Sequence, residues 1–378
     1  MKIAIVGGGV SGLSIAYNLA VRGAGEIHLF EKNWIMYGSS TRSGARFRVH
    51  FWTEENSRFA IESIKKLEKL AGKMEWNPII YRGGYLWLLF NEYQVERFKE
   101  TNKMWSKLGV QGIFLEPEDI REKYSYINVD DVLKAFYGPQ DGSLHHDYVC
   151  FGYYSLAKKL GVIFHELTPV NEIVIANNKV KQLKTMSGLV DVDVVVLAAG
   201  AWTNELLEKT GIHLPTQPLR KEVCLTEPYH HFIDPLIIDM NSGAYVGQTL
   251  KGEILGSIDY PTPPGLIKLE TRLEFVVRWA KAVTKRVPIL KNARIMRTWA
   301  GYYMMSADNS HIMGRDPEWP EGLYVAYGYS GHGFMMAPLV GELLAENILT
   351  GKTPELMRPF LPTRFRENKL IQEKLVIG

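Results

Sequence analysis

The chain opens on an unbroken apolar, β-branched run, Ile3 to Val6, which ends in a glycine-rich turn and passes into a helix. A continuous apolar run of this length predicts a strand buried on both faces, as in a parallel sheet. Ile27-His-Leu-Phe30 predicts the next strand, Val192 to Trp202 a third, and Gly322 to Gly328 a fourth. The last feeds a second glycine-rich turn, Tyr329 to Phe334, which opens an amphipathic helix through Leu339, Leu343, Leu344 and Ile348. Such returns to one pattern predict a Rossmann-like α/β domain assembled from separated segments. Between them, Gly83 to Phe90 reads as a strand followed by a charged helix around Gln94 to Leu108. From Arg220 to Thr298 strand-like runs alternate with Pro-containing turns, including Pro261-Thr-Pro-Pro264, with one helix near Leu269 to Val283. The expected organisation is a two-domain α+β protein: a discontinuous nucleotide domain (1–80, 140–219, 299–363) and a β-rich substrate domain (81–139, 220–298). The charged tail, 364–378, reads as a frayed helix or a subunit contact.

Composition narrows the classes. A hydrophobic fraction of 46% and a charged fraction of 22% are ordinary for a soluble globular protein. A net charge of +3, without long like-charge runs, argues against nucleic acid. Cys150 and Cys224 lie far apart and lack metal-ligand spacing, so no disulfide framework or metal site is expected. A reducing cytoplasm fits. The chain begins in a strand rather than a secretory signal, and no apolar stretch suffices to span a bilayer. Any membrane contact would be peripheral, on the inner face.

Gly7, Gly9 and Gly12 stand at G-x-G-x-x-G spacing exactly where strand becomes helix, and Glu31 ends the next strand. Gly7 allows the turn, Gly9 lets the backbone approach a pyrophosphate, and Gly12 lets helix pack on strand. The helix N-terminus offers N–H groups and a positive dipole end to phosphate, and Glu31 can accept from a ribose diol. Three features favour FAD over NAD. No second fingerprint is present, Val194-Val-Val-Leu-Ala-Ala-Gly200 returns small residues to the site, and Ser330-Gly-His-Gly333 opens a late helix whose dipole suits a reduced isoalloxazine.

These motifs, with Gly38-Ser-Ser-Thr-Arg-Ser-Gly-Ala-Arg-Phe-Arg48, Leu197-Ala-Ala-Gly-Ala-Trp202, Arg297-Thr-Trp-Ala-Gly301 with Asp308, and Gly331-His-Gly-Phe334, resemble the D-amino-acid-oxidase-like superfamily of FAD enzymes. That superfamily includes sarcosine oxidase, glycine oxidase and dye-linked proline dehydrogenase. Arg48 with Thr53-Glu-Glu-Asn56 is most similar to proline dehydrogenase catalytic subunits and related opine-oxidising enzymes. The resemblance implies FAD contacts at Val10, Ser11 and Lys32, and at Ser39, Ser40, Thr41, Arg42, Ala45 and Arg46 in the loop under the flavin. It implies further contacts at Val170, Ala199, Gly200, Trp202 and Gly301, and at Gly331, His332, Gly333, Phe334 and Met335.

Arg48 matches the family arginine that binds a substrate carboxylate, with Arg46 its substitute. Met335 stands where sarcosine oxidases carry a lysine, leaving Tyr245 as a candidate neutral donor. His332 is a candidate for proton transfer, though its turn matters mainly for its backbone amides. His145-His146 resembles a capped loop more than a metal site. Gly301 replaces the cysteine that attaches flavin in monomeric sarcosine oxidases, which implies non-covalent FAD. Ile254 aligns with their oxygen-activating lysine, which implies a dehydrogenase using a dye, quinone or partner subunit as acceptor. The expected activity is oxidation of a small secondary or N-methyl amino acid, proline first. A 2-hydroxy acid dehydrogenase and an FAD-carrying subunit dependent on partners are the alternatives, and self-association is left open.

Overall fold

The computed structural model describes residues 1–377. Four apolar runs, at Lys2–Val6, Glu26–Phe30, Val194–Leu197 and Leu323–Tyr327, become strands of one six-stranded sheet. Lys2–Val6 lies between Glu26–Phe30 and Val194–Leu197 and is parallel to both. Leu323–Tyr327 extends the parallel set, and Ile163–His165 and antiparallel Ile312–Gly314 form the edges. Burial on both faces explains why the central strands are apolar at nearly every position. Helix Val10–Val21 packs on helix Gly333–Thr350 so closely that a Cβ on Gly341 would lie 2.2 Å from Ser14 Oγ. Because the two parallel neighbours of Lys2–Val6 lie on opposite sides of it, the carboxyl ends of these strands open a crevice. Ligands of open α/β sheets bind at such a switch point.

The second layer is an eight-stranded sheet ordered Ile295–Ser306, Thr216–Pro228, Glu253–Ile258, Ala244–Gln248, Leu236–Asp239, Tyr85–Leu89, Lys134–Gly138, Ile113–Leu115. Its two insertions meet where Leu236–Asp239 pairs in parallel with Tyr85–Leu89. The divisions expected at 219/220 and 298/299 fall inside strands, since Thr216–Pro228 pairs with Ile295–Ser306 along nearly its whole length. The helix expected near Leu269 begins instead at Leu273, where Glu222 accepts the Arg272 N–H at 2.8 Å and fixes its start. The tail is neither frayed nor helical beyond one turn at Thr363–Arg366. Arg364 Nε and Nη2 donate to the two oxygens of Asp308 at 2.8 and 3.0 Å. Asp308 in turn accepts the Ile371 N–H, which steers the chain across the molecule and buries Glu373 and Leu375. Glu373 accepts from the N–H groups of Trp52 and Thr53 at the start of helix Glu54–Ala71. Among the described residues no helix is long and apolar enough to cross a membrane.

Candidate active site

The crevice holds a cavity of about 360 Å³ that reaches from the first glycine turn to the eight-stranded sheet. Gly7 has φ +115°, and a Cβ there would lie 2.4 Å from the Ala198 carbonyl oxygen, because two strand ends meet at this turn. A Cβ on Gly12 would lie 2.0 Å from the Gly7 carbonyl oxygen, so Gly12 serves helix-to-strand packing and stays out of the cavity wall. Gly9 does line it, and its missing Cβ would come 3.1 Å from Ser40 Oγ, in space that a phosphate can use. Val10 and Ser11 continue this wall, with the Val10 N–H held by Ser40 Oγ at 2.9 Å. Glu31 accepts the N–H groups of Gly8 at 2.8 Å and Asn33 at 2.9 Å, which fixes its carboxylate and leaves acceptor capacity on both oxygens. Lys32 Nζ stands 3.6 Å over the Trp202 ring, and Val170, Ala199 and Gly200 complete this end. An open glycine cradle, a helix N-terminus and a fixed acid fit the pyrophosphate and ribose of a dinucleotide.

The loop 38–46 is stitched to strand Ile295–Ser306. Ser39 Oγ donates to the Tyr302 carbonyl at 2.8 Å, the Trp299 indole N–H donates to the Arg42 carbonyl at 2.9 Å, and a Cβ on Gly301 would lie 3.2 Å from Arg42 Cβ. Ser39, Ser40, Arg42 and Gly301 line the cavity. Thr41 does not, because its hydroxyl turns back to the Met36 carbonyl at 2.8 Å. Ala45 does not either, because its left-handed φ of 53° is spent on turning the loop into the next strand.

A smaller cavity of about 60 Å³ adjoins the first, sharing Ser43, Gly44, Tyr245, Tyr303 and Gly331 with it. Arg46, Arg48, His332 and Met335 line this smaller space and not the larger, whereas Gly331, Gly333 and Phe334 line the larger. Arg48 is 2% exposed. Its Nη2 donates to His332 Nε2 at 3.0 Å and to the Leu375 carbonyl, while Nε and Nη1 have no partner. Nη2 belongs to both edges of the guanidinium fork, so a carboxylate bound bidentately would replace one of those two acceptors. The Arg48 N–H meets Met335 Sδ at 3.4 Å, which explains how Met335 shapes the pocket without charge.

His332 accepts from a permanently charged donor, so its own proton sits on Nδ1. Burial, reinforced by the Arg48 charge, holds its pKa well below the usual histidine value. That geometry makes it a neutral positioning group for Arg48 rather than a proton carrier. The Tyr245 hydroxyl has no hydrogen-bond partner among the described residues, and burial raises its pKa, so it presents a neutral hydroxyl to both cavities.

Sequence reasoning missed Tyr85 and Tyr303, and also Ile377, whose carbonyl accepts the Tyr303 hydroxyl at 3.2 Å. It also misplaced the lysine question. Ile254 is fully buried in a core cluster with Phe275 and lines neither cavity. The cavity lysine on this sheet is Lys221, paired with Asp259; Lys221 and Val223 alternate into the cavity along their strand, a period-two signal that was present in the sequence. Neither cysteine lines either of these two cavities, and both are buried. His145, His146 and Asp147 gather ligand atoms within 4.8 Å, with His146 Nδ1 bonded to Asp147 Oδ1 at 2.7 Å.

The chain is 28% identical over 380 residues to sarcosine oxidase subunit beta of an Arthrobacter species, covering 98% of this chain and 92% of that one. It is 26% identical to human mitochondrial dimethylglycine dehydrogenase, over 96% of this chain but 44% of that protein. The structure of L-proline dehydrogenase from P. horikoshii superposes with a TM-score of 0.91 at 34% identity, covering 98% of each chain. The profile of the FAD dependent oxidoreductase family (DAO) matches residues 2–347, and the chain belongs to that family of FAD-dependent enzymes.

Proposed function

We propose that this chain oxidises the C–H bond beside nitrogen in a small secondary or N-methyl amino acid, with proline as first choice. The observation that carries the reading is Arg48, a buried guanidinium with unpartnered Nε and Nη1 in a pocket that opens onto the larger cavity. Such a group binds carboxylate, the one part that all these substrates share. Tyr245 offers a neutral donor beside it, and His332 holds the guanidinium in place. FAD, when bound, supplies the hydride acceptor; Gly9, the first turn of Val10–Val21, Glu31 and Lys32 would hold its dinucleotide portion, and Ser39, Ser40, Arg42 and Gly44 its flavin portion. The substrate nitrogen must lose its proton before hydride leaves, and two nearby guanidinium charges favour that neutral amine. Likeness to a proline dehydrogenase structure and to a sarcosine oxidase subunit supports this substrate class.

We further propose non-covalent FAD, a cofactor domain built on the six-stranded sheet, and an acceptor other than oxygen, supplied through partner subunits. Support for the last is that Lys221 is neutralised by Asp259 and that similar chains are named as subunits. The test is steady-state turnover of proline, sarcosine and lactate with a redox dye, followed beside peroxide formation. Dye reduction with proline or sarcosine, well ahead of peroxide, supports the reading; dye reduction with lactate alone overturns it.

A further inference from the structure

A strongly basic stretch of the chain lies outside the active site. Residues 268–297 hold nine Lys and Arg against two Glu, in a chain whose net charge is +3, so the rest of it is net acidic. The stretch comprises helix Leu273–Arg286, the turn Pro288–Asn292 and the first residues of strand Ile295–Ser306. The helix is amphipathic. Phe275, Trp279 and Val283 form its buried face, while Leu273 and Val277, one turn apart, are 77% and 43% exposed. Ile289 in the turn is 65% exposed and Met296 on the strand 68%. A 2.7 Å bond between the hydroxyls of Thr271 and Thr298 ties the start of the helix to that edge strand, so these residues gather at one rim of the eight-stranded sheet. None of them lines either cavity.

Each exposed apolar side chain has a cation beside it in the chain: Arg272 before Leu273, Arg278 after Val277, Lys291 two residues past Ile289, and Arg297 after Met296. Among the described residues, no carboxylate comes within 4.0 Å of Lys281, Lys291, Arg294 or Arg297, and all four are exposed. The pairs Arg278–Glu274 and Lys285–Asp131 stay about half in water, where ion pairs hold weakly. A protein–protein interface gathers apolar side chains at its centre and leaves charge to the rim. Here the two alternate along the outer face of a helix and its flanks. That is the pattern of a segment lying in a membrane interface, with cations at the headgroups and apolar side chains beneath them. We infer that this face docks the enzyme on an anionic lipid surface, with Leu273, Val277, Ile289 and Met296 entering the headgroup layer. The contact is peripheral and separate from the substrate site.

The test sediments the FAD-loaded chain with vesicles of phosphatidylcholine alone and with vesicles containing about one third phosphatidylglycerol, at low and at high salt. The chain should partition onto the anionic vesicles at least about tenfold better than onto the neutral ones, and high salt should weaken this. Replacing Lys281, Lys291 and Arg294 together by Gln should cut the partition by about tenfold or more, since each cation near an anionic surface contributes roughly fivefold. Leu273→Gln with Met296→Gln should weaken it with every charge intact. All five side chains are exposed and line neither cavity, so flavin absorbance and dye-coupled turnover should not move and report that the variants are folded. Failure of the wild type to sediment with anionic vesicles overturns the inference, as does a partition that the triple variant leaves unchanged. Self-association of the wild type that Met296→Gln abolishes, with the vesicles left bare, also overturns it, because the face is then a contact between copies of the chain.

Discussion

Replacing Arg48 by Lys keeps a positive charge and removes the fork. With a bound carboxylate, arginine makes two charge-assisted hydrogen bonds, each worth about 1.5 to 3 kcal/mol, and lysine can keep one. The shorter reach also leaves His332 Nε2, now bonded to Arg48 at 3.0 Å, without its donor in a buried site. Losing one charged bond comes to about 1.5 to 3 kcal/mol, or roughly 13- to 160-fold in kcat/KM for a carboxylate substrate, while the unpaired His332 burdens free and bound enzyme alike and lowers stability instead. The assay is dye-coupled turnover of proline beside pyrrolidine, the same ring without the carboxylate. Pyrrolidine should be a poor substrate for both forms and lose little more on mutation. Unchanged proline turnover would refute the reasoning by showing that the carboxylate is held elsewhere. Equal losses for proline and pyrrolidine would also refute it, by making Arg48 part of the scaffold alone.

Gly9→Val should abolish FAD retention, read as loss of visible absorbance, because its side chain would grow into the cavity wall where the Cβ alone already approaches Ser40 Oγ to 3.1 Å. Arg364→Met leaves Asp308 buried without its counter-ion and should lower stability by about 3 to 5 kcal/mol in a denaturant titration, with the tail loosened as well. His311 and His332 are buried with pKa values held well below the usual one by desolvation, so the folded state binds fewer protons than the unfolded chain. Their contribution is complete above about pH 6.5 and falls as pH drops through it, by about 1.4 kcal/mol per pH unit for each residue. Urea midpoints at several pH values should show that decline, and His311→Asn should lower the slope by about 1.4 kcal/mol per pH unit.

The nucleotide half was legible because its strands are buried on both faces and its glycines are forced by backbone contacts. Gly7 and Gly12 each face a carbonyl oxygen within 2.4 Å of a would-be Cβ. The substrate half was less so. Its strands have one wet face, so Thr216–Pro228 and Ile295–Ser306 read as broken pieces and hid Lys221 and Tyr303. Asn177 and Asn178, at φ 51° and 57°, make a two-residue hairpin turn between Val170–Ala176 and Lys179–Thr185 that asparagines favour and that went unread. The tail was misjudged because its order comes from single polar contacts far away in sequence, at Asp308, Thr53 and Arg48, which leave no local periodicity.

The most direct test of the central claim is anaerobic titration of the FAD-loaded chain with amino acids and 2-hydroxy acids, followed by the visible absorbance of the oxidised flavin. Proline or another secondary or N-methyl amino acid should bleach it stoichiometrically, while lactate and 2-hydroxyglutarate leave it unchanged. Bleaching by the hydroxy acids with the amino acids silent would contradict the account.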